Sequence, residues 1–251
     1  MMLEEATKCA PAVMQSGKEY ICLMELHGDV SDEDIESIFK MFTGPIYQVP
    51  PVRSSVARRP RIRTVYRMEI IERDGRDVLF RIACSAGTYV RKICHDMGEV
   101  LGVGAHMEEL RRIRAGPFTE DNAVTMLELY EAVKLLKENK DDSKIRNVIQ
   151  PMEKCVELLP KVYVLDTAVD ALCHGADLAV AGVAKLDSDI REGSLVAVMT
   201  LKNELIALGR AMMNSQAMLE ATEGIAVDVQ RVIMERKTYP SVWKGGLRRT
   251  N

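Results

Sequence analysis

Residues 84–98 read CSAGTYVRKICHDMG and gather two cysteines, a histidine, an aspartate, a tyrosine and an arginine. Three chemistries suggest themselves: a thiol nucleophile with a histidine base, a metal site, and a phosphate-binding turn. Cys94 and His95 are adjacent in a stretch with helical spacing, so their side chains diverge by about 100° and cannot form a nucleophile–base hydrogen bond. Cys94, His95 and His106 lack metal-ligand spacing and a fourth partner. Gly87, alone before Thr88, makes no phosphate loop. That leaves Arg91. A strand ending at Cys84, a turn at Ser85-Ala86-Gly87 and a helix from near Thr88 place Arg91 in the first helical turn. There a cation opposes the helix dipole by about 0.3–1 kcal/mol. An arginine tolerated at such a place often serves a carboxylate or phosphate. The bland alternative is an exposed arginine with no special role.

Two further features bear chemistry. Arg53, Arg58, Arg59, Arg61 and Arg63 follow Pro50-Pro51 with no acid among them. Unbalanced arginines in an irregular segment suit contact with a phosphate backbone better than folding, the competing reading being a solvated basic loop. Arg111, Arg112 and Arg114 follow Leu110 and would extend the same positive surface if the two segments lie together. Tyr20 stands at the start of a strand, where a tyrosine is ordinarily a packing residue.

The elements that must position these residues are legible. KEYICLMELH (18–27) alternates as a strand. Ser31 with Asp34 three residues on resembles a capping box for a short helix with Ile35, Ile38, Phe39 and Phe42 inward. The segment from Gly44 to Arg63 reads as loop or extended chain. Residues 64–84 are two alternating runs joined at Asp74-Gly75, a hairpin signal. Val90, Ile93, Cys94, Met97 and Leu101 have helical spacing up to Gly102, and AHMEELRRIRAGPF (105–118) is either a short helix or extended. Residues 120–139 read as a helix with Leu127, Tyr130, Val133 and Leu136 on one side. Beyond Pro160 come short apolar runs separated by glycines and polar turns, the pattern of a small β-barrel with one helix at 167–173.

The 251 residues suit two domains better than one, with 47% hydrophobic and 28% charged residues. A net charge of −3 argues against a protein that coats nucleic acid indiscriminately, while leaving room for a local basic groove. The N-terminus carries acids where a signal peptide would be basic, and no apolar run approaches the roughly 20 residues of a membrane span. A cytoplasmic protein without membrane attachment is expected. The six cysteines, scattered without a C-x-x-C pair, read as buried reduced thiols.

Several colinear stretches carry a resemblance: GKEYICLMELHGDVS, GPIYQVPPVRSSVARRPRIRTVY, CSAGTYVRKICHDMG, LGVGAHMEELRRIRAGPFTEDNAVT, VIQPMEK and YPSVW. From about Leu3 to Trp243 the chain resembles the dyskerin-type pseudouridine synthases of archaeal box H/ACA ribonucleoproteins, within the TruB family. The resemblance implies an α+β architecture: a mixed or antiparallel-sheet catalytic domain over 1–159, N-terminally incomplete, then a PUA RNA-binding β-barrel over 160–237 and a tail over 238–251. It implies isomerisation of uridine to pseudouridine in rRNA, with tRNA a second candidate substrate, and needs neither metal nor organic cofactor. The partners implied are guide RNA, substrate RNA and three small proteins: zinc-ribbon-like, glycine/arginine-type and kink-turn-binding. By the same resemblance Tyr20 packs against the flipped target base and serves proton abstraction. Arg91 pairs with the catalytic aspartate, Leu110 lines the uracil pocket, and Arg53, Arg58, Arg59, Arg61 and Arg63 belong to the region that clamps substrate RNA.

One departure stands out. In the family the nucleophilic aspartate lies in a Gly-Thr-Leu-Asp-Pro block upstream of the residues matching LEEATK, and no such block occurs in this sequence. Asp74 and Asp77 are poor substitutes. Asp96, five residues past Arg91 on one helix, is expected to make an ion pair at most. The chain by itself is therefore expected to be inactive. A reading of another class, a PUA-containing RNA-binding protein with a degenerate catalytic scaffold, stays open.

Overall fold

A computed structural model describes residues 1–50 and 57–240. The chain forms two compact units, one of Met14–Thr125 and one of Met1–Val13 with Met126–Asn251. A 3-10 turn (Glu4–Cys9) and helix α1 (Ala10–Gln15) open the chain.

In the first unit the order is β1 (Lys18–Leu26), α2 (Asp32–Met41), β2 (Gly44–Gln48), β3 (Arg61–Asp74), β4 (Asp77–Cys84), α3 (Val90–Leu101), β5 (Ala105–Ala115) and β6 (Phe118–Thr119). The strands form one sheet, β2-β3-β4-β1-β5-β6, with every pair antiparallel. Alternation sets the faces: Cys22, Met24 and Leu26 of β1 and Val78, Phe80 and Ile82 of β4 are buried together with Ile35, Ile38 and Phe39 of α2 and Ile93, Cys94 and Met97 of α3. Phe39 meets Phe80 edge to face at 5.1 Å, a favoured aromatic geometry.

Local signals account for the corners. The Ser31 hydroxyl accepts the Asp34 amide at 3.1 Å, the expected cap of α2. Gly75, at φ +56°, turns the hairpin between β3 and β4, and Gly102, at φ +76°, ends α3. Gly98 in α3 lies so close to the next strand that a Cβ there would sit 2.0 Å from the Ala105 amide nitrogen.

Two alternatives left open for this unit are settled. Residues 105–115 are strand and not helix, because both edges of β1 need a partner and the ladder from Lys18–Ala115 to Leu26–Ala105 supplies one of them. The segment from Gly44 is not irregular throughout: β2 and the start of β3 pair from Gly44–Val65 to Gln48–Arg61. Proline-rich flanks obscure this from sequence, although Pro45 sits early in an edge strand, where its missing N–H is tolerated.

The second unit holds α4 (Met126–Asn139), α5 (Ser143–Val148), β7 (Lys161–Val164), α6 (Asp166–Cys173), β8 (Leu178–Ala179), β9 (Val183–Leu186), β10 (Leu195–Thr200), β11 (Leu205–Ala211), α7 (Ser215–Glu220) and β12 (Ile225–Val232). Its sheet runs β8-β12-β11-β10-β7-β9, with β10 and β7 parallel. Val162, Val164, Leu172, Val196, Val198, Ile206 and Val227 fill its core. Asn203 takes φ +65° in the tight turn between β10 and β11. In α4 the one-sided stripe is only partly covered: Leu127 and Tyr130 are each 66% exposed, Val133 and Leu136 are half-buried, and Ala132 is the helix's buried residue. The architecture is α+β, as expected. All six cysteines are buried and free.

Candidate active site

Tyr20 is the third residue of β1, facing Ile82 of β4 and Arg112 of β5. It is half-buried and packs against the core under α3. Burial and the neighbouring Cys84 push its phenol above the ordinary value, against the opposing charge and hydrogen bond of Arg112. Cross-strand partners share a sheet face, so Tyr20, Cys22, Arg112 and Leu110 lie on the α3 side, Leu110 facing Cys22. Leu110 is 39% exposed, a large apolar side chain open to solvent beside a tyrosine.

A β-bulge arranges this corner. Glu19 pairs with Arg114 and Tyr20 with Arg112, leaving Ile113 as the extra residue. In a regular strand, residues 112 and 114 would point the same way; the bulge sends them to opposite faces. Arg112 stays with Tyr20. Arg114 reaches Glu19 on the other face, at 2.9 Å. Glu19 is buried and also accepts Arg67 of β3 at 3.0 Å and Arg81 of β4 at 3.1 Å. Burial alone would raise its carboxyl; the three guanidiniums outweigh burial and hold it at about 2. One carboxylate thus joins four strands directly behind Tyr20.

Arg91 is the second residue of α3 and is exposed. Helix α3 starts six residues after Cys84, the last residue of β4, and Cys84 faces Lys18 of β1. The two elements therefore deliver Arg91 and Tyr20 to the same end and the same face of the sheet. Among the described residues no carboxylate pairs with Arg91. Asp96 is taken by Lys92, four residues before it, with His95 at 3.5 Å. The i,i+4 spacing brings those side chains onto one face, whereas five residues of separation turns Arg91 away.

The turn that precedes α3 is fastened from β2 and β3. Ser85 donates its amide to Thr64 O at 2.8 Å and accepts the Thr64 amide on its hydroxyl at 3.0 Å. Arg63 Nε donates to Gly87 O at 3.1 Å. Gln48 accepts the Tyr89 amide at 3.0 Å and donates to Tyr89 O at 3.1 Å. Gln48, Pro50, Arg61, Arg63, Gly87 and Tyr89 line a shallow cavity of about 100 Å³. Arg58 and Arg59 are exposed just before β3, and Arg53 lies outside the described residues. Arg111 and Arg114 do not extend a free positive surface: Glu120 holds one at 2.8 Å and Glu19 the other.

The described residues contain one group with metal-ligand spacing, Glu25, His106 and Glu108. His106 Nε2 is 3.1 Å from Glu108 and 3.7 Å from Glu25, while its Nδ1 is 2.9 Å from His27 Nε2. These side chains are half-exposed or exposed, and the imidazole is already satisfied within the group. Glu25 lies five residues along β1 from Tyr20, about 17 Å at strand rise, too far to serve the same reaction.

Sequence families bear on this corner. Residues 1–90 match the TruB family pseudouridylate synthase N-terminal domain, 91–157 the tRNA pseudouridylate synthase B C-terminal domain, and 160–233 the PUA domain. A probable tRNA pseudouridine synthase B of Archaeoglobus fulgidus is 50% identical over 244 residues, 97% of this chain and 75% of the relative. The chain belongs to the TruB family of pseudouridine synthases. A Pyrococcus furiosus member is 55% identical across 96% of this chain and 72% of its own. Among solved structures, a chain of "Crystal Structure of a Cbf5-Nop10-Gar1 Complex" superposes with TM-score 0.91 at 55% identity, covering 95% of this chain and 73% of that one. A chain of "Structure of H/ACA RNP bound to a substrate RNA containing 2'-deoxyuridine" gives 0.86 at 52% identity, covering 96% and 73%. For a TruB-family enzyme the described corner adds residues that motif reading passed over. Glu19 and Arg112 flank Tyr20 through the bulge, and Gln48 grips the start of the Arg91 helix. Only Arg112 had a signal, its place in a basic run; Glu19 and Gln48 acquire meaning only through register.

Proposed function

We propose that the chain is the pseudouridine synthase of a guide-RNA ribonucleoprotein of the H/ACA type, converting uridine to pseudouridine in rRNA and, as a second substrate, tRNA. The observation that supports this most directly is the close superposition, at more than half identity, on a chain from a structure titled as an H/ACA complex with substrate RNA. In this reading residues 1–159 form the catalytic domain, 160–237 the PUA domain that holds guide RNA, and 238–251 a tail. The partners are the guide, the substrate strand and proteins of the Nop10 and Gar1 kind, and the setting is cytoplasmic. Among the described residues no helix is long and apolar enough to cross a membrane.

The roles follow from the corner's chemistry. A uridine leaving its helix needs an apolar and aromatic seat, and the ring of Tyr20 with the exposed side chain of Leu110 offers one on the α3 face. With its phenol raised, Tyr20 keeps its proton at neutral pH, so the ring stacks as a neutral group whose hydroxyl can pass a proton on. The guanidinium of Arg91, without a carboxylate partner among the described residues, presents a planar fork suited to a carboxylate, and it would hold the nucleophilic aspartate ionised and oriented. Arg58, Arg59, Arg61 and Arg63, with Arg53, contact the substrate backbone. The lack of a carboxylate beside Arg91 among the described residues is the one observation that favours the RNA-binding alternative.

Release of tritium from a guide-directed uridine labelled at C5 tests the choice. Turnover by a particle assembled with the aspartate-bearing enzyme that is lost in Arg91→Ala, with guide-RNA affinity within a few-fold, supports the enzyme. Guide binding with no tritium release supports the binding protein. A large loss of guide affinity in Arg91→Ala refutes the role given to that residue.

A further inference from the structure

Helix α3 has no cap of its own. Its N-cap residue is Tyr89, whose side chain makes no capping hydrogen bond, and no acid stands in the first turn. The first amides of a helix need partners, normally from a Ser, Thr, Asp or Asn at that position. Arg91 in the same turn adds a charge of the unfavourable sign. Left to local sequence, this turn would fray, and Arg91 is in it.

The stabilising contact comes from 41 residues earlier in the chain. Gln48 is 3% exposed and binds Tyr89 through both ends of its side-chain amide, Oε1 to the Tyr89 N–H and Nε2 to the Tyr89 carbonyl. That carbonyl is the acceptor of the first helical turn, taking Lys92 N at 3.0 Å and Ile93 N at 3.2 Å. A primary amide is the side-chain group that can satisfy an N–H and a C=O of one residue together; a carboxylate accepts only, and an ammonium donates only. Gln48 is also the last residue of β2, where the chain enters the arginine-rich segment.

We infer that Gln48 is a positioning residue for Arg91: by binding both backbone groups of Tyr89 it anchors the residue from which the uncapped helix starts, and so fixes the guanidinium two residues further on. It also ties the end of β2 to the start of α3. The inference rests on the assignment of Arg91 to the reaction. Gln48 itself touches neither base nor nucleophile.

The test compares Gln48→Ala, Gln48→Glu and Arg91→Ala. In the isolated chain, amide hydrogen exchange at residues 89–93 accelerates about tenfold or more in Gln48→Ala while β1 and β4 keep their protection, the signature of local opening. In a particle assembled with the aspartate-bearing enzyme kcat falls about 100-fold, the cost of a misplacement of about 1 Å, while substrate-RNA affinity stays within about threefold. Gln48→Glu, which keeps the acceptor and loses the donor, falls between. Unchanged exchange at 89–93 overturns the inference, as does lost protection with kcat at the wild-type value. Loss of protection across the whole sheet also overturns it, by making Gln48 a general folding residue. If Arg91→Ala turns over normally, the assignment of the site fails; if Arg91→Ala is dead and Gln48→Ala is as fast as wild type, the positioning role alone fails.

Discussion

Replacing Glu19 by Gln should make stability lose a specific pH dependence. The wild-type carboxyl is held at about 2, from an ordinary 4.5. At about 1.4 kcal/mol per pH unit this corresponds to about 3 kcal/mol favouring the folded, ionised state. Its guanidinium partners are 38–51% exposed, and solvent screening trims the figure to about 2 kcal/mol. A depressed carboxyl stabilises at pH above its unfolded value, so the contribution is complete above about 4.5 and fades as pH falls toward 2. Glu19→Gln keeps the shape and removes the charge, leaving three arginines around a neutral amide. Urea unfolding, followed by amide protection in β1 and β4, should show the variant weaker by about 2 kcal/mol at pH 7, the gap narrowing below pH 4. A variant within about 0.5 kcal/mol of wild type at pH 7 would refute the ion-pair account, as would a gap of equal size at pH 7 and pH 3.

Other outcomes are open to direct measurement. Arg58→Gln, Arg59→Gln and Arg61→Gln combined should flatten the salt dependence of substrate-RNA binding by about two in log–log slope, at about 0.7 per single-strand contact; an unchanged slope means a solvated loop. Gly98→Ala should destabilise by about 1–3 kcal/mol in urea, because the new methyl meets the Ala105 amide and this outweighs the roughly 1 kcal/mol gain in helix propensity. A stabilised variant would show that α3 and β5 can separate freely.

Features governed by one stretch of chain were legible in the sequence. The caps and turns at Ser31, Gly75, Gly102 and Asn203 depend on neighbours within a few residues, and the alternation of β1 and β4 reflects one buried face. Arg91 could be singled out because its charge conflicts with a helix start. Features that need register were not legible. Counting by twos puts Arg112 and Arg114 on one face of β5, and the bulge at Ile113 separates them. The pairing of Glu19 with arginines from three strands follows from sheet order, which residue spacing does not encode. The one-sided stripe of α4 did not reveal its buried residue for a related reason: apolar spacing was present, but the buried position is the small Ala132, which contributes little to periodicity. Gln48 had no signal, since a glutamine before a proline pair is unremarkable until the helix it serves is placed beside it.

The buried thiols give the protein its own reporters. Cys22, Cys84 and Cys94 belong to the unit of residues 14–125, and Cys9, Cys155 and Cys173 to the other. A thiol reagent reaches a buried sulfur only when the structure around it opens, so labelling rates measure opening. Cys155 is held low, toward about 7, by its hydrogen bond with Cys9 in the closed structure. Cys22 and Cys94, with sulfurs 3.7 Å apart between β1 and α3, should be exposed together by any event that lifts the helix from the sheet. Mass-resolved labelling of the unmodified chain would therefore time the opening of each unit separately, and report when the helix carrying Arg91 leaves its seat.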